Sequence, residues 1–295
     1  MKPFRKDYWT SNRQFTLFTI LPAVGILLLI TVFPTIYSLW VSLQSYYLPR
    51  PYASEFVGVG NYIGVLTDTR FWGSMKQTGL LMVSAISIEF VLGLAIALFL
   101  YSEFKRSKII TPIILLPMMI APVIVGYMWR LLYQVEAGPI NYLIGFLGLG
   151  PYAWTSNVTT AVPSIVIADV WQWTPFVVLV LLAGLTSLPQ DVLEAAQVDG
   201  ASGWHRLIYI ILPMLRRVVA IVLLLRVLDV FRMFDKIYVM THGGPGSATE
   251  TVGFYAYLSG FKYLQIGYAA AMSFLLLFMT VFICITIAKT IHGEE

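Results

Sequence analysis

Long apolar blocks separated by short polar segments dominate the chain. A helix of about 20 mostly apolar residues is needed to cross the hydrocarbon core of a bilayer. Six stretches reach that length: Phe15–Leu43, Thr78–Tyr101, Ile109–Tyr133, Ala161–Leu188, Met214–Met240 and Gly267–Lys289. The pattern predicts an all-α, polytopic membrane protein with six transmembrane helices surrounded by membrane lipid.

Composition supports a bilayer environment. Apolar residues make up 58% of the 295 residues and charged residues only 12%, whereas a soluble domain carries about 25% charged residues. The formal net charge of +4 is too small to indicate a nucleic-acid partner. The single cysteine, Cys284, lies in an apolar stretch, so the chain has neither an intrachain disulfide nor a cysteine-rich metal site.

Basic residues predict the orientation, because they are enriched on the cytoplasmic side of a membrane. With a cytoplasmic N-terminus, eleven of them fall inside: Lys2, Arg5, Lys6, Arg13, Lys105, Arg106, Lys108, Arg206, Arg216, Arg217 and Lys289. Five fall outside: Arg50, Arg70, Lys76, Arg130 and Lys262. Both termini are therefore predicted to be cytoplasmic. The segments are a cytoplasmic one at 1–14, the transmembrane domain at 15–289 with a cytoplasmic loop at 188–213, and a tail at 290–295.

Proline occurs repeatedly inside the apolar stretches, at Pro22, Pro34, Pro112, Pro117, Pro122 and Pro175. Each proline removes a backbone donor and tends to kink its helix. One interpretation is helix-packing geometry, and the other is a cavity lined by bent helices that rearrange during transport.

The loop at 188–213 is predicted to form two short helices. Ser187 followed by Gln190 matches a capping box, with Pro189 in the first turn, and Gly200 suits a left-handed position that ends the helix. A second helix is expected from about Ser202 until Pro213 ends it. Such a helix–turn–helix projection suits a groove on another protein, although an amphipathic connector on the lipid surface has the same pattern.

The same loop carries a family motif. Glu194-Ala195-Ala196, then Gly200, then Ile210-x-Leu212-Pro213 resembles the cytoplasmic EAA signature of permeases in binding-protein-dependent ABC importers. The resemblance implies a coupling helix that contacts an ATPase subunit. The residues expected to act in coupling are Glu194, Ala195, Ala196, Asp199, Gly200, Trp204, Leu212 and Pro213.

The likeness extends through Trp171-Gln-Trp-Thr-Pro175 and Phe234-Asp235 to the Gly243-Gly-Pro-Gly246 segment. These segments are similar to the carbohydrate-uptake subfamily, and to its maltose- or glycerol-phosphate-type first permease subunit. The resemblance implies a type I ABC importer permease fold in a bacterial cytoplasmic (inner) membrane. It also implies four kinds of partner: two ABC ATPase subunits that use ATP and Mg, a second homologous permease, an extracytoplasmic solute-binding protein, and a sugar or oligosaccharide substrate. Since the chain lacks a G-x-x-x-x-G-K-[ST] phosphate loop, it is expected to be a transport subunit with no cofactor and no enzymatic activity of its own.

Ionisable and aromatic residues within the apolar stretches suggest a substrate pathway, since buried charge in a membrane is costly. Arg226 and Asp229 lie three residues apart on one helix face, as do Arg232 and Asp235. Each pair either neutralises its own charges inside the bundle or, for Arg226 and Asp229, faces the pathway and binds sugar hydroxyls or an acidic group. The residues predicted to line the pathway are Gln172, Trp171, Trp173, Tyr127, Arg226 and Asp229.

Two other function classes compete with the importer. In an ion-coupled secondary transporter of a small polar solute, Glu89, Asp169 or Asp229 would carry a proton, but no inverted repeat is apparent. In a membrane enzyme, catalytic or metal-binding residues would cluster, whereas the three histidines are scattered and no nucleophile–base pair is visible.

Overall fold

The computed structural model describes residues 7–102 and 104–292, and that part of the chain is almost entirely helical. The α-helices are α1 (Asp7–Ser42), α2 (Gly60–Thr67), α3 (Thr69–Ser102), α4 (Phe104–Leu115), α5 (Pro122–Leu132), α6 (Pro139–Gly145), α7 (Val158–Thr186), α8 (Gln190–Val198), α9 (Gly203–Arg206), α10 (Leu212–Met214), α11 (Arg216–Phe231), α12 (Asp235–Met240), α13 (Val252–Tyr257) and α14 (Ile266–His292). Short 3-10 turns occur at Pro51–Ala53 and Leu116–Met119, and π-helical segments at Leu207–Ile211 and Leu258–Lys262.

Within residues 7–102 and 104–292, four helices are long and apolar enough to cross a membrane, namely those containing Leu17–Ser42, Thr69–Ser102, Val158–Thr186 and Ile266–Ile287. Two bent helix pairs bring the total to six if each pair crosses as one span. The helical membrane fold is thus confirmed, while the exact number of spans and the orientation of the termini stay predictions. Residues 1–6 and 293–295 of the predicted cytoplasmic segments lie outside the described residues.

The third apolar stretch is broken at two of its three prolines, Pro117 and Pro122. Pro117 lies in the 3-10 turn, and Pro122 begins α5, where its missing N–H is tolerated. The two parts, Ile110–Met119 and Pro122–Leu132, meet at 94°. The other four prolines of the prediction lie inside helices: Pro22 and Pro34 in α1, Pro112 in α4 and Pro175 in α7.

The fifth stretch is not the single helix predicted from Met214 to Met240. Helix α11 ends at Phe231 and α12 begins at Asp235. The break is stabilised from elsewhere in the sequence, because the hydroxyl of Thr251 donates to the free carbonyl of Met233 at 2.9 Å. Arg232 and Asp235 therefore do not share a helix face, and that prediction is wrong.

The described chain divides into two compact units. The first contains the chain up to Thr67 together with Ser259–Leu275. Within it, the Asn61 amide donates to the carbonyls of Ser42 and Gln44 at 2.8 Å each. A methyl group on Gly267 would lie 2.1 Å from the Gln44 carbonyl oxygen, so only glycine fits there.

The second unit contains Asp68–Leu258 together with the chain from Leu276 onward. Its centre is the packing of α3 against α7. Gly93 permits this close approach, since a methyl group there would lie 2.6 Å from Cγ1 of Val177. All the site residues described below belong to this unit.

Candidate functional site

Five ionisable side chains meet within the Asp68–Leu258 unit. Arg226 donates through Nε and Nη2 to both oxygens of Glu89, at 2.7 and 2.8 Å. It also donates through Nη2 to Asp169 at 2.7 Å and through Nη1 to Asp229 at 2.6 Å. Lys236 donates to the other oxygen of Asp169. We call these five residues the charge cluster.

Four different helices build the charge cluster. Glu89 comes from α3, Asp169 from α7, Arg226 and Asp229 from α11, and Lys236 from α12. Because Asp169 binds both Arg226 and Lys236, it bridges the break between α11 and α12. Removing one partner of a buried ion pair is strongly destabilising, so the charge cluster fixes these four helices relative to one another.

Burial differs sharply within the charge cluster. Glu89, Asp169, Arg226 and Lys236 are all buried, with Arg226 only 1% exposed. Asp229 is the exception, with 44% of its side chain exposed. The buried guanidinium of Arg226 also lies against the ring of Trp173, with Cζ 5.0 Å from the ring centroid, a favourable cation–π geometry.

Asp229 faces a cleft of about 260 Å³. The break after α11 creates much of this cleft, since the three residues of the break contribute to its wall. The lining residues are Pro122, Asp169, Trp173, Asp229, Arg232, Met233, Phe234, Asp235 and Lys236. The cleft combines two aromatic side chains with five charged residues, so it has polar groups that can orient a small molecule but is less apolar than most ligand pockets.

The structure brings three of the predicted pathway residues together and separates the other three. Trp173, Arg226 and Asp229 meet at the cleft and the charge cluster. Among the others, Trp171 packs against Trp129, the ring centroids lying 6.0 Å apart.

Gln172 and Tyr127 also lie outside the cleft lining. Gln172 is buried, and its amide donates at 2.7 Å to the Ile120 carbonyl that the break before α5 leaves free. Tyr127 lies on α5 with an exposed ring.

Lys236 was not among the residues predicted to line the pathway, although it belongs to both the charge cluster and the cleft. A lysine inside an apolar stretch is costly unless it is paired. This cost was the one feature of the sequence that indicated a buried partner for Lys236. Its partner, Asp169, lies 67 residues away, so the pairing itself has no local pattern.

The loop at 188–213 forms the second candidate site. Helix α8 ends in a Schellman motif, in which Ala201 N–H donates to the Ala196 carbonyl at 3.0 Å and Gly200 N–H to the Gln197 carbonyl at 3.1 Å. Gly200 adopts φ +77°, as the sequence predicts for the end of this helix. Ser202 then caps α9 by accepting from the His205 N–H.

Two details of the predicted loop are wrong. The Ser187 hydroxyl donates backwards to the Gly184 carbonyl at 2.7 Å, and the Gln190 amide donates to the Tyr101 hydroxyl. Ser187 therefore ends α7, and no capping box begins α8. Pro213 does not end the second helix either, because a π-helical turn, in which Leu212 N–H donates to the Leu207 carbonyl, accommodates it without a break.

The helical segment Gly203–Met214 continues to Met214 and then meets α11 at 72°. The bend lies at Leu215, which is buried. A methyl group on Gly184 would lie 2.9 Å from Cδ2 of Leu215, so α7 packs directly against this bend.

The predicted coupling residues are mostly on the outside of the loop. Ala196 is buried and Leu212 half-buried. Those with exposed surface are Glu194, Ala195, Asp199, Gly200, Trp204 and Pro213. Trp204 is 71% exposed and the neighbouring Val198 86% exposed, so the loop presents large apolar groups beside two carboxylates.

A family model described as "Binding-protein-dependent transport system inner membrane component" matches residues 89–291. The chain belongs to this family. The matched region contains the charge cluster, the cleft and the loop. Membership confirms that the chain is a permease, a multi-pass component of the inner membrane, and it decides against an ion-coupled secondary transporter.

Named permeases are similar over most of their length. The chain is 41% identical to the probable ABC transporter permease protein y4oQ of Sinorhizobium fredii, covering 86% of this chain and 82% of that protein. It is 38% identical to the trehalose/maltose transport system permease protein MalF of Thermococcus litoralis, covering 84% and 82%. It is also 38% identical to the trehalose transport system permease protein SugA of Mycobacterium tuberculosis, covering 90% and 85%.

A solved structure shows that the permease fold is shared. The chain matches a chain of a bacterial ABC transporter involved in the import of the acidic polysaccharide alginate, with a TM-score of 0.80 and 21% identity. The match covers 97% of this chain and 98% of that chain. The overall fold of this chain is thus that of a known ABC importer chain.

Proposed function

We propose that this permease passes a sugar or an oligosaccharide across the membrane, and that separate ATPase subunits drive the movement by docking on the loop at 188–213. The sugar substrate is inferred from the relatives, since two of them are named as trehalose permeases. The exposed loop supplies the site of coupling.

The shape of the loop is the observation that carries the docking role. Both of its helices have defined ends, a Schellman motif after Val198 and a Ser202 cap. Ordering the loop therefore costs little on binding, because its backbone is already fixed. Exposed Trp204 and Val198 suit the apolar centre of a protein–protein contact, and Glu194 and Asp199 suit its polar rim.

The continuity of the chain links docking to the cleft. The loop leads through the buried bend at Leu215 into α11, which carries Arg226 and Asp229. A displacement of the docked loop would therefore act on the helix that forms one wall of the cleft.

The importer needs further subunits. We propose two ATPase subunits that use ATP and Mg, an extracytoplasmic solute-binding protein that delivers the sugar, and a second homologous permease. A cleft of about 260 Å³ in this chain alone lies below the range of about 300–1,000 Å³ usual for ligand pockets. The apolar helix α1 also has no buried residue in its most hydrophobic window, which leaves its surface for lipid or the second permease.

The test is Glu194→Ala in the tagged chain expressed with its native partners. Uptake of the cognate sugar should fall at least tenfold, and less ATPase should be recovered with the chain, while the chain still inserts into the membrane. Gln197→Ala is the matched control, because Gln197 is exposed on the same helix but is not one of the predicted coupling residues.

Three outcomes count against the proposal. They are unchanged ATP-dependent uptake by Glu194→Ala, an equal loss by Gln197→Ala, and a wild-type complex that contains no ATPase subunit after extraction in mild detergent.

A further inference from the structure

Asp229 is a surplus carboxylate in the charge cluster. Glu89 and Asp169 already balance the two cations, Arg226 and Lys236, and all four of these side chains are buried. The buried part of the charge cluster is therefore neutral without Asp229. Asp229 adds one negative charge, and it is the member whose side chain is exposed at the cleft.

Both buried cations are already paired with carboxylates. All three nitrogens of Arg226 donate to carboxylates, and the ring of Trp173 lies over its guanidinium. Lys236 is buried against Asp169. Drawing Arg226 towards the cleft would leave buried Glu89 without its cation, which is costly, and drawing Lys236 away would remove one of the two cations bound to Asp169.

The formal charges of the other two charged residues in the cleft sum to zero. Arg232 is exposed and Asp235 half-buried in the lining, and they carry opposite charges. Together with the charge cluster, four carboxylates face three cations in the described part of the site, so its formal net charge is −1. That charge resides on Asp229.

We propose that Asp229 determines substrate charge, so that the cleft accepts uncharged sugars and disfavours sugars that bear a carboxylate or another anionic group. The contact with Arg226 uses one of about four lone-pair positions of the carboxylate, and the others can accept bonds from sugar hydroxyls. A sugar carboxylate has no hydrogen to donate, and it would meet a like charge in a partly desolvated cleft. This inference rests on the proposed sugar-permease function.

The fold itself is compatible with anionic substrates. The proposed preference for uncharged sugars must therefore come from the residues of the cleft. The structural neighbour imports the acidic polysaccharide alginate, so the fold alone does not select neutral substrates. The chemistry of this cleft does, through one side chain.

The experiment measures sugar binding to the assembled importer in lipid nanodiscs by saturation-transfer difference NMR, which detects weak ligands without the solute-binding protein. The two probes are methyl glucoside and the matched methyl glucuronide, which differ only at carbon 6. The wild-type importer should bind the glucoside at least tenfold more tightly. Asp229→Asn should reduce that preference at least fivefold, whereas Asp229→Glu, which keeps the charge, should retain it.

Glu136→Gln is the matched control, since Glu136 is an exposed carboxylate outside the cleft lining, and this variant should keep the wild-type preference. If Asp229→Asn fails to assemble, Asp229→Ser removes the same charge with a smaller side chain. Thermal midpoints of all variants separate loss of discrimination from loss of folding.

A wild-type preference below tenfold, or a preference that removal of the charge lowers less than fivefold, overturns the inference. Absence of transfer from both probes in an importer that retains its ATPase also overturns it, because the cleft would then not bind sugar, while the coupling role would stand. Failure of the proposed function is recognised separately, by the absence of an ATPase subunit from the complex.

Discussion

Replacing Arg226 by methionine tests how much the charge cluster stabilises the fold. The substitution keeps a side chain of similar length but removes four hydrogen bonds to Glu89, Asp169 and Asp229. Asp169 remains paired with Lys236, and Asp229 remains exposed at the cleft, so both carboxylates are still compensated. Buried Glu89 loses both of its bonds to the guanidinium, so the cost comes mainly from this one carboxylate.

The size of the expected loss of stability depends on the uncompensated charge of buried Glu89. Breaking a buried ion pair by removing one partner costs about 3–5 kcal/mol. The conversion of about 2–4 °C per kcal/mol applies to 150–250 residues and is somewhat smaller for this chain of 295 residues, so the midpoint of thermal unfolding should fall by several degrees, and by at most about 20 °C. Adding Glu89→Gln to Arg226→Met should recover part of this loss, because the double variant leaves no buried charge at position 89.

The assay is the thermal midpoint of the detergent-purified chain, followed by size-exclusion chromatography of a fluorescent fusion. Arg232→Met is the matched control: Arg232 is exposed six residues further along the chain, and a surface substitution changes stability by about 0.5 kcal/mol or less. An unchanged midpoint for Arg226→Met, or a double variant no more stable than the single one, would refute the reasoning.

Two further predictions use paired glycines. Gly93→Ala should destabilise the chain by about 1–3 kcal/mol, because the added methyl group would lie 2.6 Å from Val177 Cγ1. Gly79→Ala on the same helix is the control, since its methyl group would meet nothing within 4 Å. Equal thermal midpoints for the two variants would contradict the close packing of α3 against α7. Gly200→Ala should destabilise the loop by about 1–2 kcal/mol, because φ is +77° at this residue, and it should lower both sugar uptake and ATPase recovery. Gly203→Ala should behave as wild type, since its methyl group would meet nothing within 4 Å. Equal uptake by the two variants would count against a fixed loop.

Features determined by local sequence were predictable. Gly200 ends α8 and Ser202 caps α9 because the groups that satisfy each helix end lie within a few residues. Pro117 and Pro122 lie at the break in the third stretch, where each lacks an N–H, although the Ile120 carbonyl freed there accepts from Gln172, 52 residues away. The false capping box at Ser187 shows the limit of such patterns. The correct residue types were present, but the hydroxyl bonded to the preceding turn instead.

Features determined by distant contacts were not predictable. The break after Phe231 depends on Thr251, which lies 18 residues beyond the carbonyl it satisfies. The pairing of Arg226 with Asp229 followed from their spacing of three residues. The pairing of Arg226 with Glu89 joins residues 137 positions apart. An expensive charge in an apolar stretch thus indicates that a partner exists without identifying it.

We propose that the two candidate sites are linked mechanically. Force applied to the loop at 188–213 reaches α11 through the bend at Leu215, which is buried and packed against Gly184 of α7. A bend enclosed in this way resists opening by itself, because opening would expose apolar surface or leave a void. Movement of the loop therefore has to carry α11 with it.

The charge cluster determines which other helices move with α11. Arg226 on α11 is bound to Glu89 on α3, and Asp169 on α7 joins it to Lys236 on α12. Sliding α11 while α3 stays in place would break a buried ion pair, which is costly. The lower-cost movement displaces all four helices together and carries Asp229, at the cleft, with them. Under the proposed docking, the same buried charges that fix the helices would make the wall of the cleft move together with the loop.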